Sequence, residues 1–320
     1  MAAVGLAPGS ARQPRYGARE THAFRQRGPS GYKIFRLGCV DTWESQVSTQ
    51  PGRYRNGVGH RMSTKRLILE RGLDLSFWFN GILIPARSGE SVLARFTQPL
   101  VALNEDETYV ISLVASGVAI KYRGRYFIVC SRHQLKGWRS EQIALLTSDG
   151  EFCITSGGVR HFVDGLYENG VHDLAAFDFT DPCLEIPALQ ERFYNFVEIP
   201  PDVRSDNIIA MIASGFPTGD QQLSLEGSTR AFKQARRVLT CLPDGPEQPN
   251  DETLLRLRVL QPLVSHPDGM SGGATFVIQV ANGEARAYFA GIVLMGSKEI
   301  LHIARAGYVR QFLDFALNDR

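Results

Sequence analysis

Ser271 sits in the run Gly269-Met270-Ser271-Gly272-Gly273. Glycines on both sides let the backbone pack tightly enough to aim a hydroxyl and nearby N–H groups at one spot, as an acyl-transfer nucleophile with an oxyanion hole requires. Serine in a glycine-rich turn is common, so the run gains meaning from two other residues. His133 directly follows the apolar run Phe127-Ile128-Val129-Cys130, and Asp173 opens the run Leu174-Ala175-Ala176-Phe177. An imidazole with an ordinary pKa of about 6.5 can take a hydroxyl proton near neutrality, and a carboxylate can hold its tautomer. The rival serines, Ser265 and Ser297, do not lie between glycines. His172 precedes Asp173, but adjacent strand residues point to opposite faces, so both cannot serve one site. His172 reads as exposed, and Asp178 falls inside the following strand.

The elements that must position these residues read as β. Tyr109–Val114, Gly117–Tyr122, Tyr126–Cys130, Ile143–Thr147, Glu151–Thr155 and Asp173–Phe179 are short and rich in β-branched and aromatic residues. A Pro-bearing connection (Pro182, Pro187, Pro200, Pro201) precedes a second set: Asn207–Ala213, Thr253–Leu260, Thr275–Val280 and Ala285–Leu294. Asp149-Gly150 and Asn282-Gly283 are strong tight-hairpin signals. Tyr308, Phe312, Phe315 and Ala316 recur at helical spacing near the end. Many short strands with regular turns indicate barrels or sandwiches, and periodicity does not choose between them.

The order His, Asp, Ser in these settings resembles the chymotrypsin/trypsin-like serine peptidases. The strand ending at His133, the Asp173 segment, the Ser271 loop and Gly291-Ile292-Val293-Leu294-Met295-Gly296 are each similar to a segment of that family, over about residues 95–318. The resemblance implies an all-β fold of two antiparallel Greek-key β-barrels with a C-terminal helix. It also implies His133 as base, Asp173 as its orienting carboxylate and Ser271 as nucleophile. The N–H groups of Gly269 and Ser271 would form the oxyanion hole, and Ser265, Leu294, Met295 and Gly296 the substrate pocket. With no acidic residue at Ser265, the pocket is expected to take apolar or small side chains. Met270 stands where activated relatives often carry an aspartate that receives a new N-terminus, so activation by that route is not expected. The enzyme would be active as made or switched by a partner protein.

The whole chain sets the bounds. Its 320 residues, 43% hydrophobic, suffice for a large core in one or two domains. Residues 1–66 hold 12 Lys+Arg against 3 Asp+Glu, leaving 23 against 30 in the rest, so a basic arm precedes a mildly acidic body. Residues 1–61, rich in Gly, Arg, Pro, Ser and Gln, read as a disordered extension, or as upstream of a start at Met62. Residues 62–94 read as a leader segment ahead of the domain. The peptidase-like domain spans 95–320, with barrel one at about 95–185, barrel two at about 205–305 and the helix at about 306–318. No apolar run approaches the roughly 20 residues that span a bilayer. Cys39, Cys130, Cys153, Cys183 and Cys241 are odd in number and form no CxxC, which favours reduced thiols in a cytoplasmic protein. No metal-ligand spacing and no phosphate loop stand out, so no cofactor is expected.

These readings converge on a serine endopeptidase acting on a protein or peptide. Two alternatives stay open. One is an inactive chymotrypsin-like binding scaffold. The other is nucleic-acid binding through the basic arm, disfavoured because the arm carries no interleaved aromatic pattern.

Overall fold

In chain order, strands β1 (Arg25–Arg27), β2 (Lys33–Arg36) and β3 (Gln46–Ser48) precede a hairpin, β4 (Ser76–Phe79) and β5 (Ile82–Pro85), and helix α1 (Ala86–Ala94). Then come β6 (Thr97–Leu103), β7 (Ile111–Tyr122), β8 (Arg125–Ser131), β9 (Ile143–Leu146), β10 (Phe152–Thr155), β11 (Gly158–His161) and β12 (Leu174–Asp178). Helix α2 (Thr180–Glu185) and β13 (Tyr194–Asn195) lead into β14 (Ile208–Gly215), β15 (Gln222–Glu226), β16 (Thr229–Lys233) and β17 (Ala235–Pro243). The chain closes with β18 (Leu254–Val259), β19 (Ala274–Ala281), β20 (Glu284–Gly296), β21 (Ile300–Arg305) and α3 (Ala306–Asn318). This computed structural model describes residues 25–27, 31–36, 46–48, 76–106, 110–147, 152–162, 170–226, 229–244, 249–264 and 266–318.

Two β bodies result. The first is a curled sheet in the order β1-β2-β10-β9-β6-β7-β8-β12-β11. The second closes on itself: β19-β14-β17-β18-β21-β20 return to β19 through a direct β19–β20 ladder, making a six-stranded barrel. The long ladders are antiparallel, while the short contacts β13–β7, β3–β17 and β4–β20 run parallel. Where two closed barrels are expected, the described strands form one closed barrel and one curled sheet.

The β19–β20 hairpin turns at Asn282-Gly283 with φ of +53° and +79°, the left-handed pair that matches strand twist. The Asp149-Gly150 turn lies outside the described residues. The two segments expected around residues 109–122 are continuous in β7, which takes a register shift at Val114, between Leu113 opposite Val101 and Ala115 opposite Leu100. There is no room for a side chain at Gly117, where a Cβ would sit 2.6 Å from Ile128 Cγ2.

One core fills the curled sheet (Leu100, Ile128, Phe177, Phe179 among others), and another fills the barrel (Met211, Leu257, Val293, Leu301). The largest lies between them. There Phe79, Phe96, Tyr194, Phe276 and Phe289 pack with ring centroids 5.2–6.0 Å apart, in stacked, tilted and edge-on pairs. Helix α3 lays Val309, Phe312 and Leu313 into that same core.

Two segments depart from expectation. Within 1–61, residues 31–36 are ordered and carry β2 between β1 and β10: Tyr32 is fully buried, its hydroxyl donates to Glu185, and Ile34 pairs opposite Ile154. The rest of the 1–61 reading falls almost entirely outside the described residues. Within 62–94, the β4–β5 hairpin joins the barrel edge through Trp78 and Arg286, and Gly89 of α1 closes on the Phe77 ring. Phe77, Phe79 and Leu93 are core residues, which composition alone did not reveal.

Candidate active site

β8 runs into a 3-10 turn, Arg132–Leu135, and β12 pairs beside it with Leu174 opposite Ser131. This register brings Asp173 against His133. The Asp173 carboxylate accepts twice from that histidine, from the main-chain N–H at Oδ1 (2.8 Å) and from Nδ1 at Oδ2 (2.6 Å). A carboxylate oxygen only accepts, so Nδ1 carries the proton and Nε2 presents a lone pair. Fully buried Ser131 donates to the same Oδ2 at 2.5 Å and lies 2.6 Å from Nδ1. The Gln134 side-chain amide nitrogen lies 2.8 Å from His133 Nε2 and donates to its lone pair.

The Ser271 loop leaves the barrel before β19 and is shaped by glycine. Gly269 and Gly272 both have φ of +91°. A Cβ on Gly272 would stand 1.9 Å from the Ser116 carbonyl oxygen and 3.1 Å from Cys130 Cα. The loop is therefore pressed onto β7 and β8, next to the chain that continues into Ser131 and His133. Ser116 pins the contact: its hydroxyl donates to the Gly269 carbonyl (2.6 Å) and accepts from the Phe216 N–H (2.8 Å). The N–H groups of Met270, Gly272 and Gly273 are spent on Pro267, Val293 and Met270 carbonyls, at 2.9, 2.6 and 2.9 Å. Those of Gly269 and Ser271 meet no acceptor among the described residues. That leaves two unspent donors at one end of the loop.

Ser271 is 8% exposed, and its hydroxyl donates to the Leu294 carbonyl at 2.8 Å. Among the described residues no hydrogen bond joins it to His133. Asp173 and His133 are thus assembled, whereas the serine hydroxyl is turned to β20. Of the expected pocket residues, Leu294 lends its carbonyl to Ser271 and buries its side chain in the central core. Met295 and Gly296 are exposed at the end of β20, and Ser265 lies outside the described residues. Met270 is fully buried in the barrel core, an apolar role in place of a charge acceptor.

The neighbouring titratable groups fall away from this centre. Arg132 donates to the Phe162 carbonyl (3.2 Å), and His172 packs its ring 4.8 Å from that of Phe162. His172 is half-buried, where an exposed residue was expected. Burial, then the Arg132 charge, hold its pKa below the usual histidine value. Asp178 is bound by Arg125 and accepts from the Thr180 N–H (3.0 Å), a structural use. Burial, followed by Asp173, pushes the Cys130 thiol far above its ordinary value, so it stays protonated. No group of three His, Cys, Asp or Glu residues able to hold a metal ion occurs among the described residues. No helix among them is long and apolar enough to cross a membrane.

Sequence reasoning missed three contributors. Ser131 and Gln134 flank His133, and Ser131 at two residues' distance carried a usable signal, since that spacing can return a side chain to the same side. Ser116 carried none, because its partner is more than 150 residues away. No family model matches the chain, and no curated protein matches it.

Proposed function

We propose that this protein is a serine endopeptidase of chymotrypsin-like fold, its curled sheet and closed barrel corresponding to the two Greek-key barrels of that architecture. The observation that carries the reading is the double grip of Asp173 on His133, at Nδ1 and at the main-chain N–H. This leaves Nε2 as a base on a fixed ring. The unspent N–H groups of Gly269 and Ser271 add support.

The chemistry requires two local rotations. The Gln134 amide withdraws from Nε2, and the Ser271 hydroxyl swings from the Leu294 carbonyl toward it. Ser271 Oγ then attacks the scissile carbonyl carbon as its proton passes to Nε2. The oxyanion is held by Gly269 and Ser271 N–H, and Asp173 stabilises the imidazolium. Nε2 returns the proton to the leaving amine, and water, activated the same way, hydrolyses the acyl-enzyme. No cofactor takes part. The substrate is a protein or peptide, with apolar or small side chains expected beside Met295 and Gly296.

A second reading, a retired enzyme serving as a binding scaffold, is favoured by the Ser271–Leu294 and Gln134–His133 hydrogen bonds. Fluorophosphonate labelling separates the two. On the peptidase reading the wild type labels, Ser271→Ala and His133→Ala do not, and Gln134→Ala labels faster than wild type. Absence of labelling in folded wild type and in Gln134→Ala alike would reject the peptidase.

A further inference from the structure

Arg236 and Arg237 are neighbours on β17 and point to opposite faces. Arg237 Nε reaches Asp220 at 2.5 Å. Arg236 has no such partner: Nη2 donates to the Thr97 carbonyl (3.2 Å), the guanidinium lies 5.1 Å over the Phe216 ring, and Nε is shielded from solvent without an acceptor. Two residues earlier, in the link that precedes β17, Gln234 Nε2 is likewise shielded and unpartnered. Arg192, from the connection between the two bodies, donates to the Leu146 carbonyl and is close enough to Arg236 for mutual repulsion. Among the described residues neither guanidinium meets a carboxylate. The Cys183 thiol beside Arg192 stays neutral, its pKa pushed by burial to about 12.

Burial draws both guanidinium groups down to about 10, still above neutrality, so both keep their charge. Two cations within electrostatic reach of each other and two unspent donors, two residues apart in the chain, stand where no carboxylate among the described residues meets them. Burying like charges unpaired is strongly unfavourable, and a planar N–H fork suits an oxyanion. We infer that Gln234, Arg236 and Arg192 form a binding site for one small tetrahedral oxyanion of the phosphate or sulfate class, distinct from the Ser271 centre. The site borders the nucleophile loop. Thr97 Oγ1 accepts from the Ala274 N–H (3.0 Å), and Phe216 is tied through Ser116 to Gly269. Filling it would stiffen the strands on which that loop rests, whatever chemistry Ser271 performs.

The test is thermal unfolding of the full chain with inorganic phosphate or sulfate, balanced against chloride at constant ionic strength. It is paired with ion chromatography of whatever anion denaturation releases from the purified protein. Near saturation, phosphate or sulfate should raise the midpoint by about 3–8 °C over chloride, unless one equivalent is already bound and is released on denaturation. Arg236→Met should abolish the response and, relieved of a buried like charge, melt no lower than wild type in chloride. Arg192→Met gives the same reading should Arg236→Met fail to fold. Neither a shift nor a released oxyanion in the wild type overturns the site. Release of a carboxylate overturns the assignment to phosphate or sulfate.

Discussion

The two sides of the candidate active site are built by opposite means. On the curled sheet, His133 is held by polar side chains: Asp173 accepts from it twice, Ser131 shares the same carboxylate oxygen, and Gln134 covers the far nitrogen. On the barrel, Ser271 is held by backbone fit, with glycines seated against the Ser116 and Ser214 carbonyls and no spare ångström for a Cβ. The first arrangement tolerates exposure and adjusts by rotating side chains. The second is rigid, and what it fixes are N–H directions rather than the hydroxyl. The His133 side can therefore be weakened by degrees, whereas the Ser271 side is kept or lost whole.

Gly272→Ala should break the comparison most violently. Its Cβ would stand 1.9 Å from the Ser116 oxygen, at a φ that already disfavours side chains. We expect a stability loss above about 4 kcal/mol, read by denaturant unfolding; a loss under 1 kcal/mol would show that the loop is not wedged between the bodies. On the proposed peptidase reading, Asp173→Asn should sharpen the contrast, leaving the midpoint within a few degrees while peptide hydrolysis falls by about 10⁴-fold through loss of the tautomer. A fall of tenfold or less would remove Asp173 from the machinery.

The smallest effect concerns acid sensitivity. His302 in the barrel and His172 beside the curled sheet are both held below the ordinary 6.5, chiefly by burial. A histidine depressed in the fold favours the folded state fully above its unfolded value, and that contribution disappears as pH falls from 6.5 through the folded value. His302→Gln and His172→Gln should each flatten the fall of stability below pH 6.5. Unchanged slopes would assign the acid response to carboxylates instead.

How much of this was readable in the chain differs by region. The strands carrying His133, Asp173 and β19–β20 announced themselves by apolar runs and by Asn282-Gly283. β6 did not, because Pro99 interrupts its pattern and its burial on both faces removes the alternation. The hairpin at 76–85 was obscured by position, being parted from its barrel partner Arg286 by some 200 residues. At the site, residue types marked His133, Asp173 and Ser271. The rotamer that gives the Ser271 hydroxyl to Leu294, and the clasp of Gln134 on Nε2, depend on the distance between two strands, which local sequence does not encode.

β2 lies along β10, and its fully buried Tyr32 plugs the end of the curled sheet's core. A polypeptide starting at Met62 would leave β10 with a bare row of main-chain donors and acceptors beside an open apolar socket. Such an edge recruits strands from other molecules. Shortened forms would then tend to self-associate before they lose their fold, and a peptide copying residues 31–36, added in trans, would be a natural way to suppress it.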